Sequence, residues 1–475
     1  MFFVVTQSAV AQARMSDVSP IAIHSFELRE DSEVGLEIEA RAPGASWLRK
    51  NAEAAALVVK IDGEYSQDVM LWAGGDSFTY RVTLGQLARG KHTIAVSLNE
   101  ARSAVGARRA EISSLKPLIF PLAKTTGLSR TNLVSNLNTN LSGGINDNPI
   151  SDPTGNPTGN LSGDDILALA RSPVLYARAN SIDRFTDVPL LMFYQIERPQ
   201  SGETLIRYSV VFSHEDGGTP AAALMARWGR GSDIEWVYEF RVRDGRVVEE
   251  IYQGVNHQTT PFTGTRTLGG GHPLLAVASD NNNFSDLACS AVRFALLPVR
   301  ADLSSASREI LMDNNPWTYR VVGEEMLREN RIKDNPTDAQ TIADLRDYLY
   351  IEAHGRQTAA ALSLGVRISG DMQSYRSDLG DARLRIDRSG FFRTAVRLPK
   401  GTVGSAVEEI SITCHGASGL VGKQSCEDVK LSRVFMLDRD YVPRAVTIPQ
   451  TKSATLAAGG VETLTIRSRN RTTNE

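Results

Sequence analysis

The densest run of chemically capable side chains lies between residues 214 and 283. It contains His214-Glu215-Asp216-Gly217-Gly218, Gly229-Arg230-Gly231-Ser232-Asp233-Ile234-Glu235, Asn256-His257 and Ser279-Asp280-Asn281-Asn282-Asn283. Asp233 and Glu235 are two residues apart, so on a strand both carboxylates leave the same face. Two carboxylates on one face repel each other unless a cation or a shared proton relieves them. Oxygen-rich groups of this kind suit calcium, magnesium or manganese. If their surroundings separate their pKa values, the same pair can instead serve as acid and base in a hydrolase. A plainer origin is also open, because Asp, Asn and Gly gather at strand ends to make turns. His257 and Asp280 stand as neighbours of whatever site Asp233 and Glu235 build.

Other nucleophile and cofactor signatures are missing from the chain. There is no Gly-x-Ser-x-Gly elbow, no phosphate-binding P-loop and no His-Glu-x-x-His pair. Ser213-His214-Glu215 is not a triad, since strand neighbours point to opposite faces. The three cysteines have no zinc spacing. Cys414 and Cys426 are close enough to close a short loop in an oxidising compartment, leaving Cys289 over.

The elements that would carry these residues are mostly strands. Residues 20 to 123 read as short strands and turns: Val58–Ile61 ending in Asp62-Gly63, then Asp68–Trp72, Phe78–Val82 and Thr93–Leu98. Such spacing predicts an immunoglobulin-like β-sandwich. From 124 to 164 Asn, Ser, Thr, Gly and Pro dominate, and Pro153-Thr154-Gly155-Asn156 repeats at once as Pro157-Thr158-Gly159-Asn160. That composition buries too little apolar surface to offset its ordering entropy and predicts a flexible linker.

Residues 165 to 347 form a central β domain in this reading. Its strands are Leu205–Phe212, Glu235–Val242 and Leu274–Ala278, with Arg243-Asp244-Gly245-Arg246 as a hairpin turn. A helix follows Asn315-Pro316, with Val321, Val322, Met326 and Leu327 at helical spacing. Strands return over 348–466, at Tyr348–Ile351, Ala361–Val366, Ala382–Ile386 and Glu409–Thr413, and residues 467–475 form a polar tail. The predicted class is therefore mainly β: an N-terminal immunoglobulin-like sandwich, a linker, then a β-sandwich region with a short helical insert.

Composition narrows the function classes. Of 475 residues, 41% are hydrophobic and 23% charged, which is ordinary for a soluble globular chain. Lys plus Arg number 52 against 55 acidic residues, and the net charge of −3 exerts no global pull on nucleic acid. No window approaches the roughly 18 apolar residues of a membrane helix. The start, Met1 to Ala13, is apolar and ends in Ala11-Gln12-Ala13, which has the form of a signal remnant over residues 1–19 with a small-residue cleavage site. A secreted or periplasmic location follows from that reading.

Three stretches taken together resemble the vacuolar protein sorting sixty-two family. They are Gly229–Glu235, Tyr252-Gln253-Gly254-Val255-Asn256-His257 and His272-Pro273-Leu274-Leu275-Ala276-Val277-Ala278, with Asp313-Asn314-Asn315-Pro316-Trp317 further on. More distantly they resemble the necrosis-inducing secreted proteins of plant pathogens. The resemblance covers roughly residues 170–350. It implies a β-sandwich carrying a divalent cation, such as calcium or magnesium, with Asp233 and Glu235 as ligands and Asp216 as a further ligand from the preceding loop. The chain departs from that pattern in two places. Ile234 replaces a tryptophan, and Arg230 replaces a ligating histidine; a guanidinium cannot ligate a cation and would pair with the carboxylates.

Three functions remain open at this level. The first is an exported binding protein for a polysaccharide or cell-surface glycan. The second is a carboxylate- or metal-dependent hydrolase. The third is a structural interaction protein in which Arg230, Asp233 and Glu235 form an ion network. Glycan sites often use aromatic side chains, and the exposure of Trp228 and Trp236 is what the sequence leaves undetermined.

Overall fold

The computed structural model describes residues 19–122, 161–287, 290–417, 422–449 and 452–466. The signal remnant up to residue 18, the linker from 123 to 160, Cys289 and the tail from 467 lie outside the described residues. The fold is mainly β, with sandwich architecture and few short helices. The chain divides into two compact units. One comprises residues up to Phe212 together with Ile234–Ala301. The other comprises Ser213–Asp233 and Asp302–Glu475.

In the first unit, seven strands between residues 22 and 121 make a four-stranded and a three-stranded sheet. The four-stranded sheet runs Ala22–Leu28, Gly90–Leu98, Ala56–Ile61, Glu64–Met70. The three-stranded sheet runs Phe78–Leu87, Ser32–Arg41, Glu111–Pro121. Four plus three strands is the immunoglobulin count, and the inner pairs, second with fifth and third with sixth, are those of that fold. Relative to that fold the first, fourth and last strands have changed sheets: the first and fourth join the third and sixth, and the last joins the second and fifth. The Asp62-Gly63 turn forms as its residues dictate, with both at positive φ (52° and 87°). Val34, Leu36, Ile38 and Ala40 alternate along the central strand and are buried.

The same unit contains an eleven-stranded sheet built around Pro189–Glu197, Thr204–Phe212, Asp233–Arg243 and Arg246–Gly254. Asp244 and Gly245, at φ 50° and 73°, turn the predicted hairpin between the last two. Its core is aromatic, with Tyr194, Tyr208, Tyr238, Phe240 and Phe212 buried. This sheet and the N-terminal sandwich belong to one compact unit. Gln67 bridges them, donating from Nε2 to the Thr83 carbonyl (2.6 Å) and accepting at Oε1 from the Ala295 amide (3.0 Å). The fully buried His272 sets Nε2 3.2 Å from Glu33 Oε1. Burial drives the Glu33 carboxyl up, and the attraction of His272 offsets only part of that.

In the second unit, Gly390–Arg397, Tyr348–Thr358, Ser425–Leu437 and Pro443–Ala445 form one sheet, with Ala454–Ala457 added to it. Tyr375–Arg376, Ala360–Ile368, Val407–Gly416 and Val461–Thr465 form the other. Their facing side chains, among them Leu349, Ile351, Leu362, Leu364, Phe392, Ile410 and Val434, make one core. The predicted strand at Ala382–Ile386 is replaced by a tight turn over Ala382–Leu384. Asp381 caps it by accepting from the Arg383 amide, an arrangement short polar side chains favour over a ladder. The predicted helix forms as Trp317–Arg328, and Val321, Val322 and Met326 are buried, whereas Leu327 is exposed. Asn315 does not cap it: its side chain donates back to the Leu311 carbonyl (2.8 Å) and closes the preceding short helix.

Cys414 on one sheet and Cys426 on the other form a disulfide, with Cα atoms 5.9 Å apart. Closing a loop of this length stabilises a domain by about 3 kcal/mol in the chain-entropy model. Reduction should therefore lower the unfolding midpoint of the native protein, and the Cys414→Ala/Cys426→Ala double variant should start lower and ignore reductant. Equal midpoints for the two proteins under oxidising conditions would contradict the crosslink's contribution.

Candidate functional site

The Trp317–Arg328 helix and the strand Gly390–Arg397 meet around a buried charge. Arg393 is wholly enclosed. It donates from Nη1 to Asp313 Oδ1 (2.9 Å) and the Tyr319 hydroxyl (3.0 Å), and from Nη2 to Asp313 Oδ2 and Glu352 Oε2 (both 2.5 Å). Its guanidinium carbon lies 5.2 Å from the centre of the Phe435 ring. Arg433 Nη1 donates to the same Asp313 Oδ2 (2.5 Å). Buried charges persist only when paired and hydrogen-bonded, and here each acidic partner belongs to a different element, so the network fixes their mutual positions.

This network also positions the segment from Ser307 to Glu309. Arg393 Nη1 donates to the Glu309 carbonyl (3.2 Å), and the Ser307 amide donates to Glu352 Oε1 (2.6 Å). The Glu309 carboxylate is itself buried and accepts from Arg230 Nη1 (2.9 Å). Burial alone would raise the Glu309 carboxyl, but the pull of Arg230, Arg308, Arg393 and Arg388 outweighs it and holds the group below the usual carboxylate range.

Against these residues sits a π-helical turn, Leu224–Trp228. Its exit requires glycine. Gly229 has φ +60°, and a Cβ there would come within 2.6 Å of Arg393 Cγ. Thr394 Oγ1 donates to the Ala226 carbonyl (2.5 Å), and Arg388 Nη2 donates to the Arg227 carbonyl. Three guanidiniums surround the Trp228 ring, those of Arg227, Arg388 and Arg230, at 5.0, 5.3 and 5.8 Å from its centre. Trp228, Phe391, Leu303, Ala306, Ser307, Arg308, Glu309 and Arg388 wall a cavity of about 340 Å³.

Ser307 Oγ and Arg388 Nη1, on two residues of this wall, are buried out of reach of solvent and have no hydrogen-bond partner. Native structures rarely leave such groups unmade. Burial, and the nearby Arg230, Arg308 and Arg227, push the Arg388 guanidinium down to about 10, with Glu309 opposing them. It stays charged at neutral pH. The cavity therefore sets aromatic surface beside two arginine side chains, Arg308 and Arg388, which suits a small polar molecule with an apolar face.

The residues singled out in the sequence are distributed over both units. Arg230 pairs with Asp233 (3.5 Å) as well as with Glu309. Glu235 accepts from Gln253 Nε2 (2.6 Å) and has His257 Nδ1 3.8 Å away. His257 also meets Asn281 through Nε2 (2.9 Å). Asp280 pairs with Arg178. Asp216 lies near His214, whose Nδ1 is 2.8 Å from the Gly231 carbonyl. Among the described residues no group of three His, Cys, Asp or Glu side chains is arranged to hold a metal ion. Trp236 lies half-buried beneath Arg207 (5.8 Å). Sequence reasoning passed over Ser307, Arg308, Glu309, Arg388 and Phe391, which come from two stretches some eighty residues apart. Only the arginine richness of 227–230 and the aromatic Trp228 hinted at the cavity.

His214 supplies a test of this packing. Burial, helped by Arg331, depresses its imidazole to about 4, against the pull of Gly231 and Asp216. The unfolded chain, with a pKa near 6.5, then takes up the proton first as the solution is acidified. This contribution to stability is complete above about pH 6.5 and is lost progressively toward pH 4, to a total of roughly 3 kcal/mol. Urea titrations should show native stability falling more steeply across that window than stability of His214→Asn. Parallel curves would show that His214 is not held neutral.

No family model and no curated protein matches the chain. Among solved structures the chain is similar to the C-terminal domain of EclA, a sugar-binding protein, at 16% identity, over 21% of this chain and 68% of that one, with a TM-score of 0.17. It is also similar to a structure of the M60 catalytic domain with the CBM51-1 and CBM51-2 domains from Clostridium perfringens ZmpB. That match has 9% identity, covers 84% of this chain and 31% of that one, and has a TM-score of 0.14. Likenesses at these scores carry no argument about fold or function.

Proposed function

We propose that this protein is an exported binding protein that holds a saccharide in the Trp228 cavity. The observation that carries the reading is the wall itself: Trp228 and Phe391 together with the arginine side chains of Arg308 and Arg388, around about 340 Å³. Sugar rings pair an apolar C–H face with a rim of hydroxyls, so they match a site that combines aromatic surface with fixed donors. The volume is at the lower end of the roughly 300–1,000 Å³ of small-molecule pockets, enough for a mono- or disaccharide. Export is supported by the Cys414–Cys426 disulfide, since such bonds persist in oxidising compartments. No helix among the described residues is long and apolar enough to cross a membrane.

A hydrolase built on Asp233 and Glu235 has less support. Asp233 faces the buried Arg230 and Glu235 is engaged by Gln253, so neither side chain is placed in the wall of the Trp228 cavity. The kinship with the vacuolar protein sorting sixty-two family stays a proposal on the motif residues alone, and its metal ligands would need a set that Asp216, Asp233 and Glu235 do not form here.

Titration calorimetry with a panel of neutral and acidic mono- and disaccharides should find at least one ligand that also quenches tryptophan fluorescence. Trp228→Ala should weaken that ligand at least tenfold, which is about 1.4 kcal/mol, while leaving the unfolding midpoint within a few degrees. An unchanged affinity in Trp228→Ala would place binding outside this cavity, and a panel with no binder would overturn the reading.

A further inference from the structure

The cavity has an excess of cationic groups over what its own acids can neutralise. Its wall carries Arg308 and Arg388 against one carboxylate, Glu309. Glu309 is committed to Arg230 at 2.9 Å, and Arg308 Nε reaches it only at 3.9 Å. Asp387, the next carboxylate along the chain from Arg388, pairs with Arg227 instead (2.7 Å). Arg388 spends Nη2 on the Arg227 carbonyl and keeps Nη1 buried without a partner. Ser307 Oγ, in the same wall, is likewise buried and unpartnered. A desolvated guanidinium beside other cations is costly unless an anion completes it.

We infer that the ligand is an acidic saccharide, its carboxylate received by the side chains of Arg308 and Arg388 and its ring lying in the pocket lined by Trp228 and Phe391. This rests on the saccharide reading above and narrows it to uronates and other sugar acids. A guanidinium offers a planar set of donors that matches a carboxylate, and charge-assisted hydrogen bonds of this kind are roughly twice as strong as neutral ones. A neutral sugar can offer these guanidiniums only hydroxyl and ring oxygens, which make the weaker hydrogen bond to an uncharged acceptor.

The test compares galacturonate and digalacturonate with galactose and its neutral disaccharide, and with acetate and sulfate, by calorimetry on the full chain at low ionic strength. The acids should bind at least tenfold more tightly than their neutral counterparts, and the preference should shrink as salt is added. Arg388→Lys, which keeps charge but not the planar fork, and Arg308→Gln, whose side chain is only half-buried, should each reduce the preference, with circular dichroism confirming the fold. Equal affinity for acidic and neutral sugars, both lost in Trp228→Ala, would overturn the acidic assignment and leave the saccharide reading standing. Acetate or sulfate binding as tightly as the uronate would overturn it by showing a simple anion site. Absence of binding by every sugar would overturn both readings.

Discussion

The second unit depends on one buried cation. Arg393 is enclosed with Asp313, Glu352, Tyr319 and the Glu309 carbonyl around it, so two helices, two strands and a connecting segment all answer to the same guanidinium. Such a cluster adds little net stability compared with a well-packed apolar core, but removing one partner strands a buried charge at a cost of about 3–5 kcal/mol. Its consequence is geometric. The acids must converge on Arg393, and that convergence sets Ser307–Glu309 opposite the Leu224–Trp228 turn. Gly229 allows the turn to approach Arg393 closely enough to complete the wall.

Charge in this region is ordered in a chain of commitments. Asp313 and Glu352 serve Arg393, Glu309 serves Arg230, and Asp387 serves Arg227. Arg388 comes last and finds a backbone carbonyl and an aromatic ring in place of a carboxylate. The binding character of the cavity follows from this ordering more than from any single residue. A structural ion network and a ligand site thus share one set of arginines, which joins the bland and the functional readings of Arg230.

Much of the fold was legible in the sequence because its signals are local. β-branched and aromatic composition and Asp-Gly turns marked the strands Val58–Ile61 and Glu235–Val242, and the hairpin at Asp244-Gly245 has the positive φ values its residues favour. The strand predicted at Ala382–Ile386 failed because Asp381 offers its own backbone a capped turn. The partition into units was not legible, since Ser213–Asp233 joins Asp302–Glu475 only through contacts distant in sequence. The site was legible only in outline. Asp233 and Glu235 drew attention by spacing, yet spacing says nothing about Arg230 and Gln253 arriving to engage them. Arg388 and Ser307 carry no motif, and what marks them is a hydrogen bond left unmade after folding.

The most direct test is a crystal structure of the full chain grown or soaked with galacturonate. The account predicts the sugar in the Trp228 cavity, its carboxylate within hydrogen-bonding distance of the Arg308 and Arg388 side chains, and Arg393 still paired with Asp313 and Glu352. A sugar bound at another surface, or a cavity whose Arg388 Nη1 already meets a protein carboxylate, would contradict it.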